Sequence, residues 1–329
     1  MRNFAFHRAA SPEDAVARLR AGAVPVAGST ELLNWMRLGI AEPDALIDLT
    51  RLEGLRGVRR EGEEFVLGAL TTLAEIEAHE GLRREAAVLS TACAKAASAQ
   101  IRNRATIAGN LLQKTRCGYF RSEAPLPWGC NKRAPGSGCA AREGVNDQHA
   151  IFGWTDACVA TQPSDPVVAL AALDARLDVA GPRGVRSMAV RDFHLTPAEA
   201  DPVRETRLAP DELILRVRVP ARPGARSAYL KVRERESYAY ATVSAAAVVE
   251  REGDRIGRAA VVLGSVAAKP WRLEAAEAGL RGRPFEKAAL REPIALAMRD
   301  ARPLEHNAYK VTIATNAAVR ALMMAGAQA

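Results

Sequence analysis

Apolar and polar positions divide the chain into short runs that predict alternating elements before they predict any chemistry. Ser11-Pro12-Glu13-Asp14 opens a helix, with serine as cap, proline in the first turn and acids at the positive end of the dipole. That helix continues through Leu19 and stops near Gly22. Ala23 to Ala27 reads as a buried strand, Gly28-Ser29-Thr30 as a turn, Glu31 to Leu38 as a second helix and Ala45 to Leu49 as a further strand. The βαβ-like alternation predicts a small α/β lobe over residues 1–55. Arg83 to Ala97 reads as one helix, followed by a turn at Thr106 to Asn110. From Leu111 to about Gln162 periodicity disappears, and apolar spacing returns only with a helix over Val167 to Leu177. Leu213 to Val219 alternates apolar and charged residues, as a half-buried strand does. Ser227 to Val232, Ala241 to Glu250 and Ala259 to Val266 continue as strands. Trp271 to Leu280, Lys287 to Asp300 and Ala308 to Met324 close the chain as helices. Three regions follow: 1–55, 56–180 with an irregular insertion at about 114–162, and an α+β region over 181–329.

Composition narrows this picture only in part. With 329 residues, 48% hydrophobic and 26% charged, the chain has the balance of a globular protein with a sizeable core. Aromatics at 5% leave that core to Ala, Val, Leu and Ile. No run approaches the ~20 apolar residues of a membrane helix. Arg2 and Arg8 are not followed by the apolar stretch of a secretory signal, so the sequence on its own reads as cytoplasmic, with export open only alongside a signal-bearing partner. The net charge of +8 comes from arginines scattered beside acids, as in Arg233-Glu234-Arg235-Glu236, which reads as a solvated surface, with a basic patch for phosphates or an acidic partner subunit as the alternative.

Candidate chemistry concentrates in the irregular segment. Four of the five cysteines (Cys117, Cys130, Cys139 and Cys158) fall there, whereas Cys93 stands in a helical run as a small buried hydrophobe. So long a segment without periodicity inside a compact domain needs a reason, and a metal centre supplies one. Three readings stay open. Disulfides need an oxidising compartment. Structural zinc usually has C-x2-4-C pairs, and the spacings here are 12, 8 and 18 residues. A [4Fe–4S] cluster needs four thiolates converging from a pliant loop, which the Gly- and cation-rich run Asn131 to Gly138 provides. Five histidines (His7, His79, His149, His194 and His306) form no ligand spacing; His149, between two of the cysteines, is expected at the surface, with a place near a metal centre as the alternative. Separately, the turns at Gly28-Ser29-Thr30 and Thr106 to Asn110 offer free N–H groups at helix starts, where a folded dinucleotide could lie. Neither is a dinucleotide fingerprint or a P-loop.

The motifs taken together resemble one family. Residues 25–32 (PVAGSTEL), 100–111 (QIRNRATIAGNL), 163–166 (PSDP), 229–235 (YLKVRER), 238–244 (YAYATVS) and 263–271 (LGSVAAKPW) occur in the order of the FAD-binding subunits of molybdenum hydroxylases, the xanthine dehydrogenase and aldehyde oxidoreductase group. The resemblance spans essentially the whole chain. The cysteine segment, with CGYF at 117, CNKRAPGSGC at 130–139 and CVAT at 158, resembles the subset that carries an additional [4Fe–4S] cluster, as in periplasmic-type heterotrimeric aldehyde oxidoreductases.

The resemblance implies an α+β fold: a two-lobed, vanillyl-alcohol-oxidase-type FAD-binding domain followed by a C-terminal α+β domain. It implies FAD contacts from Val26, Ala27, Gly28, Ser29, Thr30, Glu31 and Leu32 at the pyrophosphate, and from Thr106, Ile107, Ala108, Gly109 and Asn110 toward the flavin. Asp165 and Lys231 match further FAD-contacting positions; helix capping and an exposed strand site are their plainer roles. Cys117, Cys130, Cys139 and Cys158 would ligate the cluster. The implied activity is electron relay from a molybdenum-cofactor subunit and a [2Fe–2S] subunit, through FAD, to an external acceptor, with no substrate-directed catalytic residue on this chain. A self-contained FAD reductase of the same fold and a zinc-stapled nucleic-acid-binding protein are the competing readings.

Overall fold

The structure is a computed structural model that describes residues 2–327. Three sheets organise it. The first lobe holds a three-stranded parallel sheet in the order β1-β3-β2, with β1 Ala5–Arg8, β2 Val24–Val26 and β3 Ala45–Asp48. Helix Pro12–Arg20 connects β1 to β2, and Ser11 Oγ accepts from the Asp14 amide at 3.2 Å, the cap expected of that sequence. Helix Leu32–Arg37 follows β2 and seats Leu32 and Met36 against Val26 and Leu46.

The second sheet is antiparallel in the order β4-β5-β8-β6-β7: β4 Val58–Glu61, β5 Glu64–Gly68, β6 Arg176–Gly181, β7 Gly184–Ala189 and β8 Leu213–Pro220. A division of the chain at residue 181 falls at the tip of the β6–β7 hairpin, and the sheet runs on to Pro220. Strand β8 ties the lobes together. It gives Leu213 and Leu215 to the core of the first lobe and Ile214, Val217 and Val219 to the core of the second.

The third sheet, in the order β12-β11-β10-β9, is built from β9 Arg226–Val232, β10 Val243–Glu252, β11 Arg255–Gly264 and β12 Trp271–Arg272. Its central strand is buried on both faces. Ala246 and Val248 pack with helix Asp165–Ala172, while Ala245, Ala247 and Val249 pack with the C-terminal helix Tyr309–Gly326. Alternate residues of a strand face opposite sides, so the alanine-rich run lets helices approach both.

Several elements differ from the sequence pattern. The helix expected over Arg83–Ala97 is two, Glu80–Glu85 and Ala87–Lys95, separated where Ala86 leaves helical geometry (φ −146°, ψ 42°). The run Val167–Leu177 is a helix only to Ala172; Asp174 then takes φ +55° and the chain turns into β6. Trp271 and Arg272 pair with β11 before helix Glu274–Leu280 begins. The expected turn at Thr106–Asn110 is the capped start of helix Ile107–Leu111. Among the described residues no helix is long and apolar enough to cross a membrane.

Candidate functional site

A cleft of about 2260 Å³ separates the first lobe from the second and third sheets. It exceeds the ~300–1,000 Å³ of ordinary small-molecule pockets, as an extended ligand requires. Val26, Ala27, Gly28, Ser29, Thr30, Glu31 and Leu32 all line it, and so do Thr106, Ala108, Gly109, Asn110, Asp165 and Lys231. Ile107 does not. It faces the other way along the short helix and is fully buried in the core.

Each turn has a local reason for its residues. At Gly28 an added Cβ would lie 1.9 Å from the Arg104 carbonyl oxygen, so the two turns of the cleft press backbone against backbone. The need for glycine is therefore set by the protein itself, whatever lies in the cleft. Ser29 follows at φ +64°, a left-handed conformation that costs a non-glycine residue energy. Thr106 Oγ1 accepts from the Gly109 amide at 3.1 Å, and a Cβ at Gly109 would stand 3.1 Å from the same oxygen. Asn110 donates to the Thr106 carbonyl at 3.0 Å and accepts from Ser164 at 3.3 Å, joining the second turn to the chain just before Asp165.

The charged candidates are already engaged. The Glu31 carboxylate accepts from Trp35 at 2.9 Å, Gln113 at 3.3 Å, Arg121 at 3.3 Å and from Arg116. It serves as a tie between helix Leu32–Arg37 and the irregular segment, and Arg116 in turn stacks on the Tyr240 ring at 4.2 Å. Asp165 is buried, receiving Lys231 Nζ at 2.7 Å and the Tyr229 hydroxyl at 2.6 Å. Lys231 also donates to the Lys95 carbonyl at 3.1 Å. Burial pushes the Asp165 carboxyl above its usual range, against the pull of Lys231 and Tyr229. Ser164, not Asp165, stands at the cap position of the following helix, and its side chain makes no capping bond.

Two further residues on the cleft wall escaped sequence reasoning. Gln162 Nε2 and His194 Nδ1 are buried without a partner, although each belongs to a side chain facing the cleft. His194 is otherwise held by Nε2 donating to the Leu111 carbonyl at 2.8 Å, and burial lowers its imidazole to about 4. Buried polar atoms without partners are rare, and a bound ligand is one ordinary explanation.

The four cysteines of the irregular segment meet around a second, small cavity: Cys117, Cys130, Cys139 and Cys158 all line it, and none forms a disulfide. Cys130 and Cys139 face each other across an isolated antiparallel bridge, and Cys158 makes a similar bridge with Thr155. Main-chain N–H groups point at the sulfurs: those of Tyr119 and Phe120 at Cys117, Lys132 and Arg133 at Cys130, Ala141, Arg142 and Val159 at Cys139, and Ala160 at Cys158. A bond from the Cys158 thiol holds Cys139 down to about 6, with Cys158 raised in consequence; burial pushes Cys117 up to about 11. Among the described residues no three His, Cys, Asp or Glu side chains form a group that could hold a metal ion as they stand. His149 is not at the surface. It is buried with Nε2 3.2 Å from Cys117 Sγ, and burial together with nearby Lys310 lowers its imidazole to about 4.

Polar side chains hold this segment in place. Arg133 donates to the carbonyls of Phe120 at 2.8 Å and of Ser122 and Gly39 at 3.1 Å. Lys132 bonds Glu205 at 2.7 Å and the Pro202 carbonyl at 2.9 Å. The two cavities share Cys117, Tyr119, Lys132 and Ala160, so Cys117 lines both and a single layer of residues divides the other three cysteines from the cleft.

The large cleft between two lobes, bordered by a strand-and-helix domain, has room for an extended nucleotide cofactor. Residues 2–222 match the FAD binding domain in molybdopterin dehydrogenase, and residues 228–325 match the CO dehydrogenase flavoprotein C-terminal domain. The chain belongs to the FAD-binding subunits of the molybdenum hydroxylases. It is 43% identical over 333 residues to the aldehyde oxidoreductase FAD-binding subunit PaoB of Escherichia coli (strain K12), covering 100% of both chains. It is 29% identical over 299 residues to the carbon monoxide dehydrogenase medium chain of Afipia carboxidovorans, covering 90% of this chain and 85% of that one. Among solved structures, reconstituted CO dehydrogenase from Oligotropha carboxidovorans superposes with a TM-score of 0.78 at 28% identity, covering 100% of this chain and 99% of that chain.

Proposed function

We propose that this chain is an electron-relay subunit that binds FAD in the large cleft and a [4Fe–4S] cluster on Cys117, Cys130, Cys139 and Cys158. It would work within a heterotrimer, beside a molybdenum-cofactor subunit and a [2Fe–2S] subunit, and serve an external acceptor. An aldehyde is the substrate class favoured for the complex, on the strength of the 43% identical relative. When bound, FAD supplies both one- and two-electron chemistry, and an iron–sulfur cluster supplies one-electron chemistry.

The chain's own residues fit both groups. The backbone from Val26 to Leu32 presents N–H groups at the start of a helix, with Ser29 turned left-handed to expose them, a setting suited to a pyrophosphate. Gln162 and His194 bring buried polar atoms in need of a partner. Lys231 keeps the Asp165 carboxylate fixed at the cleft wall, where it can accept from hydroxyl groups.

The observation that carries the cluster reading is the meeting of four thiols, far apart in sequence, on one small cavity. A single ion needs at least three ligands grouped about one point, and no such group is present among the described residues. A cluster of several irons needs sulfurs set around a volume, with amides donating to them. The N–H groups directed at each cysteine, and the Lys132 side chain beside Cys130 and Cys158, supply that environment.

The test is Cys130→Ser in the purified complex. Iron per chain should fall while flavin per chain is retained, and iron unchanged from wild type would refute the ligand role.

A further inference from the structure

We propose that His149 donates an N–H···S hydrogen bond to Cys117 and so sets the reduction potential of the iron–sulfur centre, an inference that rests on the cluster reading above. Nε2 of His149 stands 3.2 Å from Cys117 Sγ, and the ring is buried against Tyr119, with centroids 6.3 Å apart and planes inclined by 54°. The opposite nitrogen, Nδ1, makes no hydrogen bond of ordinary geometry, and the Asn146 main chain lies close enough to act on the ring. The ring is thus oriented through its Nε2 end. A thiolate ligand selects the tautomer with hydrogen on that nitrogen, because a lone pair directed at a thiolate would repel it.

The loop that carries His149 is fixed from behind, by residues more than a hundred positions away. The His149 carbonyl accepts from Asn307 Nδ2 at 3.2 Å and from Lys310 Nζ at 2.8 Å. Lys310 is fully buried and also donates to the carbonyls of Ser265 at 2.6 Å and Gln148 at 3.2 Å. Asn146 accepts from the His306 amide at 3.0 Å and donates to the Arg142 carbonyl at 3.1 Å. The C-terminal domain therefore holds the imidazole at one place rather than leaving it to sample the cavity.

Hydrogen bonds to a ligand sulfur draw electron density from it and stabilise the reduced, more negative centre, which raises the potential. His149 is a positioning and tuning residue, not a ligand and not a catalytic residue.

The experiment is an EPR-monitored redox titration of the purified complex, with iron and flavin quantified, for wild type, His149→Leu and His149→Gln. Leucine removes the donor at similar size, whereas glutamine returns an N–H near the position of Nε2. The expected result is full iron in both variants, a midpoint shifted to more negative potential in His149→Leu, and a midpoint near wild type in His149→Gln. Full iron with an unmoved midpoint in His149→Leu would overturn this inference alone. Loss of iron from both variants would make His149 a ligand or a structural element, and would also overturn it. Wild type with no iron beyond that of the [2Fe–2S] partner would remove the cluster reading itself, and this inference with it.

Discussion

The cleft and the cysteine segment lie side by side but are built on opposite principles. The cleft is framed by packed elements: its turns follow strands and open helices, and its walls stand on large apolar cores. Between Gln113 and Pro163 the only regular structure is a short helix at Gly118–Arg121 and a 3-10 turn at Ala140–Arg142. That segment is fastened by side chains reaching for backbone carbonyls, with Arg133, Lys132, Asn131 and Trp154 as its main ties. The first region owes its order to burial of apolar surface, which the chain carries everywhere it goes. The second has fewer such contacts and depends on polar bonds.

The sharpest way to break this contrast follows from the proposed cluster: treat the purified complex with an oxidant and a chelator, which would strip iron held by the four cysteines. Residues 114–162 should then become the preferred site of limited proteolysis, with flavin still bound. Proteolysis spread evenly over the chain would show that the two regions are one cooperative unit.

Within the cleft the largest stability effect is expected from Lys231→Met. The substitution leaves the buried Asp165 carboxylate without its cation, a change that typically costs about 3–5 kcal/mol. Thermal unfolding should show the loss, and the double variant Lys231→Met with Asp165→Asn should recover part of it.

Next comes acid sensitivity at the seam between the regions. His194 bonds the Leu111 carbonyl where the cysteine segment departs, and it is held neutral by burial, with Glu205 favouring and Lys269 opposing its charge. Its folded pKa of about 4 lies below the ~6.5 of an unfolded histidine, so the unfolded chain binds the extra proton. Stability is therefore complete above pH ~6.5 and declines as the pH falls toward ~4, by up to about 3 kcal/mol. His194→Gln, which retains an N–H donor, should flatten that acid limb in melting curves taken across the range.

Gly28→Val drives a side chain into the Arg104 backbone and should cost about 1–3 kcal/mol, as overpacking does. The diagnostic is order of events: the melting temperature should fall even in flavin-free protein, since the clash is with the chain itself. Smallest is Thr106→Ala, which removes a helix cap worth about 1 kcal/mol and should weaken flavin retention without affecting iron.

Much of the cleft was legible in the sequence because its signals are local. Ser11 caps the helix its motif announces, and Val26 to Leu32 line the cleft that the resemblance implied. The rest was hidden wherever the deciding partner is distant in sequence. Strand β1 has little burial to mark it, and the β4–β5 hairpin begins with charged residues, so only pairing defines them. Ile107 shares a motif with four cleft residues but turns to the core, because a five-residue helix presents more than one face. His149 carried no spacing signal, for its contacts are Cys117 on one side and Asn307 and Lys310 on the other. Its place between two cysteines allowed a position near them, but its contacts could be read only from the folded chain.

The reach of Lys310 back to residues 148 and 149 also bears on the timing of synthesis. A ribosome releases residues 148 and 149 long before it releases the helix that holds their carbonyls. While that helix is still being made, those two carbonyls lack the Lys310 ammonium that binds them in the folded chain. The loop that carries His149 thus reaches its final fastening only after the last helix has been made and has docked.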